Sequence, residues 1–219
     1  MVIQELQPRT HSQQAYTCIK QKIISLQLPP GDVINEAALQ NELQLGRTPI
    51  REALKQLSLE KLVNIVPRRG MFVTDIKITD LQRLFEVRIV LESLAVQLAM
   101  QHGTAAQWQE MQQVLDDLPA EGATAVNKNN HLIAVDEKCH QLIYTATHNE
   151  FLQDTLTTMY ALSLRLWYFF LAKIGDMEGA VMEHQHILDA LQSGDSEEAV
   201  RLMEGHIRTF QEEIQAVMF

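Results

Sequence analysis

The sequence predicts a mainly α-helical protein in two parts. The N-terminal part is a winged helix-turn-helix with a small β-hairpin wing, and the C-terminal part an all-α antiparallel bundle of six to seven helices. Three observations lead there. Leu43 to Val73 reads as a helix end, a turn, a helix opening Arg-Thr-Pro-Ile-Arg, and two β-rich runs about a Pro-Arg-Arg-Gly tip. After Asp75 the periodicity is helical only. The charge divides at the same place: residues 1–76 hold 9 Lys and Arg against 7 Asp and Glu, a net +2, whereas residues 77–219 carry −12.

Residues 1–10 are polar and irregular and are expected to form a loose arm. Ser12 to Leu26 repeats on a helical period through Ala15, Ile19, Ile23 and Ile24, and Pro29-Pro30-Gly31-Asp32 stops it. Glu36 to Leu43 is a short helix. Thr48 to Glu60 is the next, with Thr48 as its cap and Pro49 at the first position, where a missing N–H costs nothing. Leu62–Val66 and Met71–Thr74 are the strands of the wing. Ile76-Lys77-Ile78 is the linker, which sets domains at residues 1–75 and 79–219.

In the second part, Thr79 to Gln82 is a capping box whose helix ends at Gly103, and Thr104 to Gln107 opens a helix reaching about Leu118. Pro119 to Thr124 is a loop. Asn129 to Thr147 is helical, Asn149 caps a helix from Phe151 to Ala172, and Glu178 to Leu191 is followed by Ser193-Gly194. Asp195 to Glu198 is a third box, opening the last helix to about Val217. Cys18 and Cys139 fall in different parts and read as free thiols of a reducing cytoplasm. No signal peptide is expected. The longest apolar run, Leu166 to Ala172, is far below the roughly 20 residues that span a bilayer, so a membrane partner is excluded and a cytoplasmic protein expected.

The mildly basic head points to double-stranded DNA. Arg47 and Arg51 flank Thr48 at a helix N-terminus, where free N–H groups and the dipole already favour an anion. Recognition helices touch bases with their N-terminal residues, and arginine favours guanine. Arg68, Arg69 and Gly70 form the wing tip, expected at phosphate or the minor groove. A head this small offers few base contacts, so a homodimer reading a palindromic operator is expected.

Four polar residues interrupt apolar stripes of the bundle. Asp136 and His140 are spaced i, i+4 in line with Ile133 and Ile143; Val181, Leu188 and Leu191 bracket His184; Ala199, Leu202, Met203 and Phe210 bracket His206. A buried carboxylate and three buried imidazoles need compensation, and one divalent cation (Zn, Ni, Mn or Fe) serves all four. His186 lies off the stripe of His184. Arg88 lies on the stripe of Leu81, Leu84, Phe85, Leu91 and Ala95. It reads either as an i, i+4 ion pair with Glu92 or as a bidentate anchor for a ligand carboxylate.

From Tyr16 through Leu28-Pro-Pro-Gly-Asp and Arg47-Thr-Pro-Ile-Arg-Glu-Ala-Leu54 to Arg69-Gly70, the head resembles the winged-helix domain of the GntR family of bacterial transcription regulators. It departs from the family pattern at Gln44-Leu45-Gly46, where Gly-Val-Ser is common, and at Lys61, where Gly is usual. The segments Val87 to Glu92, Asp136 to His140, His148-Asn149, Glu183-His184 and Gly205 to Ile207 are similar to the ligand-sensing FCD domain of the FadR subfamily. That resemblance implies a metal held by Asp136, His140, His184 and His206, and a small carboxylate as effector. The function expected is a metabolite-responsive, non-enzymatic DNA-binding regulator. Two other readings are a metal-dependent hydrolase linked to a DNA-binding head, against which stands the lack of a HExxH motif, and a regulator whose metal is purely structural.

Overall fold

The computed structural model describes residues 10–117, 124–174 and 177–218. Residues 1–9 of the expected N-terminal arm and most of the Pro119–Thr124 loop lie outside them. Among the described residues there are nine helices and one two-stranded antiparallel sheet. The chain forms two compact units: residues up to Lys77 with Leu164–Phe169, and Ile78–Ser163 with the remainder from Phe170.

In the first unit, α1 (His11–Ile24) packs on α3 (Arg47–Leu59), with α2 (Glu36–Leu43) against α3. Ile19 and Ile23 of α1, Ile50, Leu54 and Leu57 of α3, and Leu62 are all without exposed surface. Each such side chain withdraws apolar area worth ~1.5–3 kcal/mol. Thr10 caps α1 by accepting from Gln13 N–H, and Asn35 caps α2 by accepting from Ala38 N–H.

The start of α3 corrects the sequence expectation. Gly46 is the N-cap and makes no side-chain cap bond, so Thr48 is not the cap. Arg47 is the first helical residue and Pro49 the third, still within the turn whose N–H groups have no helical partner. Two tight turns frame α3. Gln44, between α2 and α3, has φ 54°, and Lys61, just past α3, has φ 62°; both are left-handed positions at which glycine would be unstrained.

The wing is β1 (Val63–Val66) antiparallel to β2 (Gly70–Val73), in register Val63↔Val73 and Ile65↔Met71. Its tip turns through Arg68 at φ 63° and Gly70 at φ 116°. The loop after α1 joins from the other side, which the sequence did not disclose: Val33 bridges Phe72, Ile34 N–H donates to the Met71 carbonyl (2.8 Å), and Val73 N–H donates to that of Asp32 (2.9 Å).

The second unit contains α4 (Ile78–His102), α5 (Ala105–Leu115), α6 (Ala125–Ala146), α7 (Glu150–Ile174, apart from Leu164–Phe169), α8 (Glu178–Ser193) and α9 (Ser196–Met218). The predicted capping box at Thr104 and Gln107 forms with both of its reciprocal bonds. Asn149 caps α7 by accepting from Leu152 N–H, and Asp195 caps α9 by accepting from Glu198 N–H. Helix α6 begins four residues before the expected Asn129, capped by Thr124. Its first turn is exposed, so no apolar periodicity marked it. Helix α4 packs on α6 and α9, and α8 packs on α5, α6 and α9. Phe85, Val96, Ile143, Ile187, Leu188 and Met203 form the centre of this core. No described helix is long and apolar enough to cross a membrane.

Candidate metal centre

Asp136, His140, His184 and His206 come together inside the bundle. All four are buried, and one potential ligand atom from each lies within 4.8 Å of the others. The i, i+4 spacing on α6 brings Asp136 and His140 to one face, and α8 and α9 supply the two remaining imidazoles. His186, the sequence competitor of His184, is exposed. His131 stands apart at 2.6 Å from the Asp117 carbonyl, and His148 is exposed.

Each imidazole is held through Nδ1. His206 Nδ1 lies 2.8 Å from Glu183 Oε2. His184 Nδ1 lies 3.0 Å from the Ala180 carbonyl, one helical turn back, and 3.5 Å from Asp136 Oδ1. His140 Nδ1 lies 3.3 Å from the Tyr144 hydroxyl and 3.4 Å from Glu92 Oε2. Acceptors on Nδ1 fix the tautomer that leaves Nε2 as a lone-pair donor. His140 Nε2 and His206 Nε2 then face each other at 3.3 Å. His184 Nε2 is buried and has no hydrogen-bond partner among the described residues. An orphaned buried nitrogen and two opposed lone pairs are what a cation relieves, so the donor set of three imidazoles and one carboxylate fits a divalent ion.

The electrostatics agree. Burial, with His206 next, pushes His184 down to about 3, which keeps it neutral as a ligand must be. Burial alone would raise Asp136, but His184, His140 and His206 outweigh it and hold the carboxylate below its ordinary value. Tyr160 donates to Asp136 Oδ2 at 2.6 Å, which leaves Oδ1 toward the imidazoles. Burial and then Asp136 keep the Tyr160 hydroxyl protonated.

Arg88 and Glu92 form the pair that their spacing suggested, both fully enclosed. Glu92 Oε1 accepts from Arg88 Nη2 (2.6 Å), from Arg88 Nε (3.2 Å) and from the Tyr144 hydroxyl (2.6 Å). The guanidinium also lies over the Tyr160 ring at 5.5 Å. Burial opposes the Glu92 charge, yet His140 and Arg88 hold the carboxyl well below the usual range. Sequence reasoning missed Tyr144, Tyr160 and Glu183. Tyr144 carried a signal, since Asp136, His140 and Tyr144 repeat at every fourth residue.

In the first unit, Arg47, Thr48 and Arg51 are exposed at the start of α3, as are Arg68, Arg69 and Gly70 at the wing tip. Their assignment to DNA comes from residue type and position along the chain.

Comparison with known proteins matches residues 11–73 to the model of bacterial regulatory proteins of the gntR family, and residues 83–209 to that of the FCD domain. The Nta operon transcriptional regulator of Aminobacter aminovorans is 28% identical over 198 residues, covering 89% of this chain and 90% of that protein. YdhC of Bacillus subtilis, an uncharacterized helix-turn-helix transcriptional regulator, is 26% identical over 216 residues, covering 96% and 94%. Among solved structures, McbR/YncC of Escherichia coli shares the fold with a TM-score of 0.84 at 19% identity, covering 96% of this chain and 99% of that one.

Proposed function

We infer the function from one premise: this chain belongs to the GntR family of bacterial regulatory proteins and carries an FCD domain. It is a transcription regulator with a DNA-binding helix-turn-helix and a ligand-sensing helical domain. In our reading the DNA-binding domain is residues 1–75 and the sensing and dimerising domain residues 79–219, joined by 76–78. Arg47, Thr48 and Arg51 enter the major groove, while Arg68, Arg69 and Gly70 meet phosphate or the minor groove.

The sensing site is the Asp136, His140, His184 and His206 cluster, and the observation that carries it is the buried, partnerless Nε2 of His184. A bound divalent cation would supply positive charge and open positions for a ligand oxygen. Arg88 and Glu92 cancel one another, and Asp136 with Glu183 balances a divalent cation overall, so the pull on an anion is local to the open positions of that cation. That balance favours a small mono- or dicarboxylate effector, with Arg88 as the candidate anchor. The effector acts only through its different affinity for two arrangements of a dimer.

Helix α4 supports the dimer. Beside its buried stripe it carries a second apolar row, Leu84, Val87, Leu91, Leu94 and Leu98, spaced by three and four residues, with Val90 at its edge 66% exposed. Such a heptad row is the seam by which helices pair. Arg83 and Glu86 lie at one end and Gln97 and Gln101 at the other, so antiparallel pairing with a second copy keeps the charged ends apart.

The test is a melting-shift screen of organic acids on full-length protein loaded with zinc, followed by duplex binding with each hit. The expected result is one cation per chain and a small carboxylate that changes duplex affinity. A protein that takes up no zinc, nickel, manganese or iron ends the metal reading. Carboxylates without effect on loaded protein end the effector reading.

A further inference from the structure

The two arginines that open α3 share one carboxylate from the preceding helix. Glu36 is the first residue of α2, Arg47 the first of α3, and Arg51 follows one turn on. Glu36 Oε2 lies 3.8 Å from Arg47 Nε and 3.8 Å from Arg51 Nε. Those are ion-pair distances, too long for hydrogen bonds. The same oxygen is closed off from solvent and accepts no hydrogen bond from the described residues. The arginine side chains, by contrast, are 70% and 46% exposed.

Two cations one turn apart at a helix N-terminus repel each other and the dipole. Glu36 offsets both, and the manner of its approach matters. A guanidinium offers a side-on fork through Nε and an end-on fork through its two Nη groups. Glu36 addresses the Nε edge of both residues, which leaves both end-on forks free. The contact that distinguishes guanine is a fork onto O6 and N7. We propose that Glu36 is a specificity-positioning residue. It holds Arg47 and Arg51 by their Nε edges so that the Nη groups face the bases, and its charge weakens the arginines' sequence-blind attraction to phosphate. The proposal rests on the reading of Arg47 and Arg51 as base-contacting residues.

Non-specific binding is phosphate electrostatics, so losing the Glu36 charge strengthens it, whereas losing the alignment weakens base readout. The two effects separate by substitution. Glu36→Gln removes the charge. Glu36→Asp keeps the charge but shortens the reach by one methylene, so one carboxylate no longer spans both arginines. The experiment uses full-length protein and two probes: a duplex recovered by selection from a randomised library, and an unselected duplex of equal length and composition. Equilibrium binding is measured over a range of salt, with thermal melting of each variant.

Glu36→Gln is expected to bind the unselected duplex several-fold more tightly. Its selected-to-unselected ratio should fall about tenfold, within the worth of one bidentate base contact. Glu36→Asp should leave the unselected affinity near the parent value and still lower the ratio. A Glu36 with only a structural role shifts the melting point and leaves the ratio alone. A parental ratio in both variants, while Arg47→Ala and Arg51→Ala weaken the selected duplex, overturns the Glu36 proposal alone. If neither arginine variant weakens the selected duplex, the base-contact reading and this proposal fall together.

Discussion

His206 donates from Nδ1 to Glu183 Oε2 across 2.8 Å, and Glu183 directly precedes His184 in the chain. Adjacent residues of α8 thus do two tasks: His184 projects into the cluster, while Glu183 turns the α9 imidazole so that Nε2 faces inward.

Carboxylates behind metal-bound imidazoles raise ligand basicity and lock the tautomer, and their loss costs about 10–100-fold in metal affinity. Glu183→Gln should weaken zinc binding within that range, and Glu183→Ala further, in calorimetric titrations of metal-free protein. Removing His184 should abolish most binding, while exposed His186→Ala should keep it. Zinc affinity untouched in both Glu183 variants would mean that packing alone aims His206.

Arg88 and Glu92 are enclosed together, so removing one strands the other. Arg88→Met is expected to destabilise the fold by about 3–5 kcal/mol, because it leaves a buried, uncompensated carboxylate. Adding Glu92→Gln should recover most of that loss, since the amide oxygen still accepts from Tyr144. Urea unfolding of the single and double variants measures both. An Arg88→Met protein of parental stability would contradict the structural weight given to the pair.

The α4 seam makes a separable prediction. Leu94→Arg places a charge in the middle of the apolar row and should turn a dimer into a monomer in sedimentation, with a sharp loss of affinity for a palindromic duplex. Val126→Arg, at a site 67% exposed on another helix, is the control and should remain dimeric. A Leu94→Arg dimer would place the interface elsewhere.

Lys61 holds a left-handed conformation at φ 62° just past α3. A Cβ there costs ~1–2 kcal/mol, part of which glycine gives back in unfolded-chain entropy. Lys61→Gly should therefore stabilise the head by about 1 kcal/mol, seen as a higher thermal midpoint. A lower midpoint would show that the lysine side chain contributes more than its backbone strain costs.

Much of this was legible in the sequence, for identifiable reasons. Asp136, His140, His184 and His206 each broke an apolar row, and a polar residue in a buried row is conspicuous without any tertiary information. The fold class followed from periodicity and from caps such as Thr104 and Asn149. What escaped notice depends on neighbours distant in the chain. Tyr160 meets Asp136 from another helix, Glu183 meets His206 from the next, and the loop after α1 meets β2. No local pattern encodes such pairings. Thr48 misled for a different reason: it is a good capping residue, but the chain is already helical at Arg47, where Gly46 enters with extended backbone.

The loop bridge to the wing gives its two strands unequal resistance to opening. β2 is hydrogen-bonded to β1 on one side and to residues 31–34 on the other. β1 pairs with β2 alone among the described strands. Amides bonded across an inner strand exchange with solvent only when both borders part, whereas an outer strand opens in smaller, cheaper events. Opening is therefore expected to start at the more exposed Asn64–Val66 end of β1 and to reach the Arg68–Arg69 tip, while Val63 stays buried and Gly70–Val73 stays bonded on both sides. The wing is thus held along one rail, the strand that the loop after α1 secures.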